Sequence, residues 1–110
     1  MSLEATLDAA VDGEVSFTFR VTNAGTSTVE LTFRSGKRGD VVVRERDSGE
    51  EVWRWSEGRM FTQALSRTTV QPGEQIEATY RWKNPLPGSY VATGTLEANH
   101  ELQAETELTI

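Results

Sequence analysis

Apolar and polar residues alternate along most of this chain with a period of two. Between Glu14 and Thr22 every odd-numbered residue is apolar and every even-numbered residue is polar. Because successive side chains of a strand point to opposite faces, this pattern predicts a strand with one buried face. The same alternation recurs over residues 3–9, 29–33, 76–82, 90–98 and 102–110.

Two further segments predict strands by other signals. Val41, Val42 and Val43 are consecutive, which predicts a strand over Asp40–Glu45 that is covered on both faces. Residues 52–55 combine β-branched and aromatic side chains, which suit a pleated surface.

Turn-forming residues separate these segments at intervals of about 8 to 12 residues, a spacing typical of a β-sandwich. Asp12-Gly13 and Asp47-Ser48-Gly49 predict hairpins. The remaining turn signals lie at 23–27, 71–74, 84–88 and 99–100, and residues 34–39 form a predicted flexible polar loop. The sequence therefore predicts an all-β chain of about eight or nine antiparallel strands. Arg59–Leu65 breaks the alternation and fits either a helical turn or a packed loop.

Composition limits the classes of protein and partner. A chain of 110 residues with 36% hydrophobic residues predicts one domain, 1–110, with one modest core. Seventeen acidic against eleven basic residues argue against nucleic acid as a partner. The absence of cysteine excludes disulfides and thiol catalysis, and no apolar run reaches the length of a membrane helix. The first five residues do not resemble a signal peptide, so we expect a cytoplasmic protein.

Catalytic and metal-binding chemistry find little support. His100, the single histidine, falls in a predicted turn, and a triad needs an imidazole beside its nucleophile. Asp8, Asp12 and Glu14 are imaginable ligands of a hard cation, but the dense loop of oxygen ligands that calcium requires is missing. We therefore expect no enzyme activity, no cofactor and no metal site.

Residues 52–65 form the segment richest in side chains typical of interfaces. They include two tryptophans, a phenylalanine, a methionine and two arginines. Core packing is the competing interpretation, in which Met60, Phe61 and Leu65 plug an open end of the sandwich. We favour the core for Trp53 or Trp55 and for Phe61, and leave Arg59 and Gln63 undecided.

The tripeptide Arg38-Gly39-Asp40 is known as an integrin ligand when it is displayed on a loop. Three residues are too few to be specific. We favour a structural interpretation, in which Gly36 and Gly39 supply turn angles and Asp40 begins a strand.

The segments 33–38, 40–44, 53–56 and 60–65 resemble, in order and spacing, the intracellular proteinase inhibitor domain of Bacillus. Met60-Phe61-Thr62-Gln63-Ala64, followed by an apolar residue, is the most specific part. The resemblance continues through residues 70–74, 80–82 and 87–90. It implies an immunoglobulin-like β-sandwich, a cytoplasmic setting and inhibition of an intracellular subtilisin-like serine protease. No inhibitory residue is carried over from the family.

Two functional hypotheses follow. In the first, Ser56–Leu65 enters a protease cleft, Met60, Phe61 or Leu65 fills an apolar pocket, and Arg59 and Gln63 flank it. The neighbouring loop, made flexible by Gly36 and Gly39, is a weaker candidate.

In the second hypothesis the chain is a non-inhibitory interaction module of a cytoplasmic assembly. It would bind through an edge strand or through the aromatic segment over residues 52–65. Exposed edges also permit pairing between copies, so we expect a monomer or a weak dimer.

Overall fold

A computed structural model describes residues 2–110, which form nine β-strands and no helix. This confirms the all-β prediction and the predicted number of strands. Among the described residues no helix is long and apolar enough to cross a membrane. The strands are β1 (Leu3–Asp12), β2 (Glu14–Asn23), β3 (Val29–Phe33), β4 (Gly39–Glu45), β5 (Glu51–Arg54), β6 (Ser66–Val70), β7 (Gln75–Trp82), β8 (Ser89–Leu96) and β9 (Leu102–Thr109).

The strands form two antiparallel sheets and one separate two-stranded ribbon. The first sheet has the order β1-β2-β7, the second has the order β5-β4-β8-β9, and β3 pairs with β6. Both predicted hairpins are present: β1 meets β2 at Gly13, and β4 meets β5 across the turn that contains Gly49. Both glycines have positive φ, at 74° and 73°, as tight turns of this kind require.

The core lies between the two sheets and follows the alternation of the sequence. The four odd-numbered apolar residues of β2 are all buried, and each polar residue between them is partly exposed. All three valines of β4 are buried, which confirms a strand covered on both faces. Burying a side chain of this size contributes about 1.5 to 3 kcal/mol, so these two strands supply much of the stability.

The two lateral sides of the sandwich are closed differently. On one side, β1 packs against β9. On the other side, the edge strands β5 and β7 are bridged by aromatic rings. Trp53 stacks between Phe17, 6.1 Å away, and Trp82, 5.9 Å away, and Trp82 meets Tyr90 edge-on at 5.1 Å. The functional candidates lie on this aromatic side.

Candidate functional site: the 56–65 loop

Residues 56–65, called here the 56–65 loop, join β5 to β6. The loop begins with a turn in which the N–H of Arg59 donates to the carbonyl of Ser56 at 3.1 Å. Gly58 within this turn has φ of 77°. The remainder has no helical turn, so of the two alternatives the structure adopts the loop, and Phe61 is its one residue between 59 and 65 that is not exposed.

Asp40 anchors the start of this loop from the neighbouring strand. Its side chain is almost fully buried, and Oδ1 accepts hydrogen bonds from the N–H groups of Val41 at 2.9 Å and Ser56 at 3.1 Å. Oδ2 accepts from the Ser56 hydroxyl at 2.5 Å and lies 3.2 Å from Nζ of Lys37. A buried carboxylate is costly unless it is paired and hydrogen-bonded, and here it is both. Asp40 therefore fixes the position of Ser56.

The charges around Asp40 also affect two neighbouring groups. Partial burial lowers the pKa of Lys37, but its hydrogen bonds to Glu97 and Asp40 outweigh burial and raise that pKa above its ordinary value. Burial, together with the negative charges of Asp40 and Glu97, raises the pKa of Tyr80 to about 12. At neutral pH the site thus holds a charged lysine and a neutral tyrosine.

Trp55 forms the floor beneath the loop. Its ring meets Tyr80 edge-on at 4.8 Å and contacts the ring of Phe61 at 5.7 Å. The guanidinium of Arg59 lies 4.4 Å above the same indole, and its Nε donates to the Trp55 carbonyl at 2.8 Å. Two residues of the loop are therefore held on one aromatic surface.

Met60, between these two held residues, points into solvent. Arg59 and Phe61, on either side of Met60 in the chain, both contact Trp55. Met60 is 97% exposed and Leu65 is 60% exposed. The predicted core plug is therefore wrong for Met60 and Leu65. Phe61 is half-buried, and Gln63 is exposed.

Trp53 and Trp55 are both half-buried and pack against the core. The sequence favoured a core position for one of the two tryptophans, and in the structure both are partly in the core. Neither is sealed from solvent, because both lie at the side of the sandwich that the strands leave open. Arg59, Met60, Phe61, Gln63 and Leu65 all belong to one surface loop, as proposed from the sequence.

The 34–38 loop, which precedes β4, braces the 56–65 loop. The N–H of Gly36 donates to the carbonyl of Thr62 at 2.8 Å. The prediction that Gly36 and Gly39 supply turn angles is wrong, since neither has a positive φ. Each position is occupied by glycine because neighbouring atoms leave no room for a side chain. An added Cβ on Gly36 would lie 2.8 Å from Oγ1 of Thr62.

Gly39 is even more tightly enclosed. A Cβ there would lie 2.6 Å from the Thr95 carbonyl oxygen and 2.7 Å from the Tyr80 hydroxyl. Asp40 is only 3% exposed, and the guanidinium of Arg38 lies 5.0 Å from the centre of the Phe33 ring. The tripeptide is therefore not displayed as an integrin ligand, and Asp40 has the structural role predicted from the sequence.

Two of the three residues weighed for metal binding, Asp8 and Glu14, have cationic partners. Asp8 pairs with Arg20, and Glu14 lies 3.9 Å from Arg81. Across residues 2–110 no three His, Cys, Asp or Glu side chains are grouped to hold a metal ion. His100 is half-buried in the turn between β8 and β9.

Comparison with protein-family models gives a match over most of the chain. A family model described as intracellular proteinase inhibitor, BsuPI, matches residues 2–101. The comparison with curated proteins finds no match.

Solved structures similar to this chain include a CARDB domain from Pyrococcus furiosus, described in complex with di-metal ions. It has a TM-score of 0.54 and 17% identity, over 98% of this chain and 86% of that one. A β-glucosidase from Kluyveromyces marxianus has a TM-score of 0.54 and 13% identity, over 99% of this chain and 14% of that one. A β-glucosidase from Erythrobacter marinus has a TM-score of 0.52 and 12% identity, over 98% and 15%.

This chain therefore spans only a small part of either β-glucosidase. At such low identities the likeness shows the fold alone. Because the CARDB domain has an immunoglobulin-like fold, the comparison confirms the predicted immunoglobulin-like antiparallel β-sandwich.

Proposed function

Because this chain belongs to the intracellular proteinase inhibitor family, we propose that it inhibits an intracellular subtilisin-like serine protease by binding it through the 56–65 loop. The family name supports protease inhibition in general. The subtilisin-like type is what the resemblance of residues 33–65 implies. The proposal includes a single inhibitory unit over residues 1–110, a cytoplasmic setting and no enzymatic activity of the chain itself.

One observation carries the choice of the loop: Met60 is 97% exposed between two neighbours held on Trp55. An exposed, flexible, unbranched side chain of this kind can fill an apolar specificity pocket. The backbone of residues 60–65, which belongs to no strand, can pair with the edges of a protease cleft.

The loop is held before its target arrives, which favours tight binding. Asp40 fixes Ser56, Trp55 holds Arg59 and Phe61, and Gly36 binds the carbonyl of Thr62. Binding a preorganised loop costs less conformational entropy than ordering a mobile one. A braced loop also resists cleavage, because the backbone cannot easily follow the acylation reaction. These contacts restrict the conformation of the loop, as disulfides do in other small inhibitors.

Titration of an intracellular subtilisin-like protease with the purified chain tests the proposal. We expect hydrolysis of a peptide substrate to fall to zero near one equivalent, while the chain stays intact by mass spectrometry. An extracellular subtilisin and trypsin serve as comparison proteases. No inhibition at large excess, or rapid cleavage of the chain, would overturn the proposal and favour a non-inhibitory interaction module.

A further inference from the structure

A second surface lies beside the 56–65 loop, between the edge strands β5 and β7. We call it the β5–β7 groove. It encloses about 500 Å³, and Trp53, Trp55 and Trp82 form its apolar wall. Its rim includes Arg59, so the groove is continuous with the loop proposed to bind a protease.

The groove concentrates positive charge in an acidic protein. Arg54, Arg59, Arg81 and Lys83 line it, against a single carboxylate, that of Glu57. The lining residues therefore carry a formal charge of +3. The chain as a whole carries -6, so the rest of the molecule carries -9.

Most of these cations lack a close anionic partner within the chain. Arg54 is engaged, because its Nη2 lies 2.7 Å from Glu51. Arg81 has only a long contact, 3.9 Å from Glu14. Between residues 2 and 110, no carboxylate lies within 4.0 Å of the charged nitrogens of Arg59 or Lys83. Arg59, Arg81 and Lys83 thus line one groove, and no carboxylate of residues 2–110 lies closer than 3.9 Å to their charged nitrogens.

We propose that the β5–β7 groove binds an acidic polypeptide segment of the partner protein. Arginine presents paired donors to carboxylates, and the indole rings of the wall offer apolar contact beside each ion pair. In the terms of the proposed function, on which this assignment of the partner rests, the segment lies on the protease surface beside its active-site cleft. It reaches Arg81 and Lys83 when Met60 occupies the cleft.

Charge complementarity favours a short acidic segment over a nucleic acid. A nucleic acid binds by many phosphate contacts spread along its backbone. Here only four of the eleven cations line the groove, and the net charge of -9 on the rest of the molecule repels a long polyanion. A short peptide with a few carboxylates can bind in the groove without approaching the acidic surface of the rest of the protein.

Calorimetric titration of the full chain with hexaglutamate tests the groove without any protease. Hexaglutamine, of the same length and without charge, is the matched control peptide. We expect the wild-type chain to bind hexaglutamate at low salt with Kd below about 1 mM. Most of this affinity should be lost as the salt concentration rises, and hexaglutamine should show no detectable binding.

The double variant Arg81→Glu/Lys83→Glu reverses two groove charges, and we expect it to bind hexaglutamate at least about tenfold more weakly than the wild type. Arg44→Glu/Arg46→Glu is the matched control. It makes the same charge change at two exposed positions outside the groove, and Arg46 has an equally long contact, 3.8 Å from Glu107. Equal losses in both variants would mean a general charge effect and would overturn the proposal. So would tighter binding of a single-stranded oligonucleotide than of hexaglutamate.

Association kinetics with the protease separate this proposal from the proposed function. If the wild type inhibits, we expect Arg81→Glu/Lys83→Glu to associate about tenfold more slowly, with a weaker dependence on salt. An unchanged association rate constant would overturn the proposal that the groove binds an acidic segment, while the proposal of inhibition would stand. If the wild type does not inhibit, the proposed function fails, and the hexaglutamate titration still decides whether the groove binds acidic peptides.

Discussion

Asp40 accepts two hydrogen bonds from Ser56, one from the backbone N–H at 3.1 Å and one from the hydroxyl at 2.5 Å, although sixteen positions separate them in the sequence. Asp40 lies near the start of β4, whereas Ser56 begins the 56–65 loop. The buried carboxylate thus joins the second sheet to the exposed loop. A change at Asp40 should affect both stability and the loop.

Replacing Asp40 with alanine should lower the free energy of unfolding by about 3 kcal/mol. The substitution leaves the N–H and hydroxyl of Ser56 without their acceptor and Lys37 without one of its two carboxylates. Urea unfolding followed by circular dichroism measures the effect. Glu105→Ala removes an exposed carboxylate of β9 and should cost no more than about 0.5 kcal/mol. Equal costs for the two variants would contradict the anchoring role of Asp40.

Stability should fall between about pH 10 and pH 12 because of Tyr80. Folding raises the pKa of Tyr80 from 10.0 to about 12, so the folded state keeps a proton that the unfolded state releases. The stability that this group contributes is fully present below pH 10 and is lost as pH rises through 12. The loss amounts to about 2 to 3 kcal/mol.

Unfolding of the wild type and Tyr80→Phe across this pH range isolates the contribution, since the other titrating groups are shared. We expect the wild type to lose stability relative to Tyr80→Phe as the pH rises. Parallel curves for the two proteins would refute the assignment.

Gly39 and Gly13 should differ in their response to substitution, because they are glycine for different reasons. A Cβ at Gly39 meets backbone and the Tyr80 hydroxyl, so Gly39→Ala and Gly39→Asn should each cost about 3 kcal/mol. Gly13 has positive φ in open space, so Gly13→Ala should cost about 1 kcal/mol. Asparagine tolerates this conformation, so Gly13→Asn should cost less than Gly13→Ala. Thermal unfolding of the four variants checks the contrast.

Met60→Ala should weaken inhibition by about 10- to 100-fold if Met60 fills the specificity pocket of the protease. Its stability should stay within about 0.5 kcal/mol of the wild type, because the side chain is almost wholly exposed. Leu86→Ala is the matched control: Leu86 is also exposed, at 74%, but lies between β7 and β8. Inhibition constants for the three proteins decide the matter. If Met60→Ala inhibits as strongly as the wild type, Met60 does not fill the specificity pocket, and another part of the surface binds the protease.

Eight of the nine strands and the hairpin turns were predictable because their signals are local, whereas β6 (Ser66–Val70), with a single apolar residue, was not predicted. The alternation over residues 14–22 becomes the buried and exposed faces of β2, and Asp12-Gly13 becomes its hairpin. Each of these features depends on residues that adjoin one another in the chain. Strand geometry places alternate side chains on opposite faces, and a two-residue turn joins neighbouring strands, so the local pattern is enough to predict these features.

The supports of the candidate site were not predictable in this way. The sequence places Gly39 and Asp40 in a short polar stretch, where a turn angle is the ordinary reason for a glycine. The actual reason is contact with Thr95 and Tyr80, which lie far along the chain. The exposure of Met60 likewise depends on Trp55, which holds residues on both sides of it. Only the folded arrangement brings these partners together.

All three tryptophans of the chain line the β5–β7 groove. The tryptophan fluorescence of the protein therefore comes from this one groove, and Trp53 and Trp82 are stacked closely enough to exchange excitation energy. Emission should respond when a peptide or a protease covers the groove, and remain unchanged by events at the β1–β9 side. The molecule thus contains its own optical probe of the surface on which its proposed interactions depend.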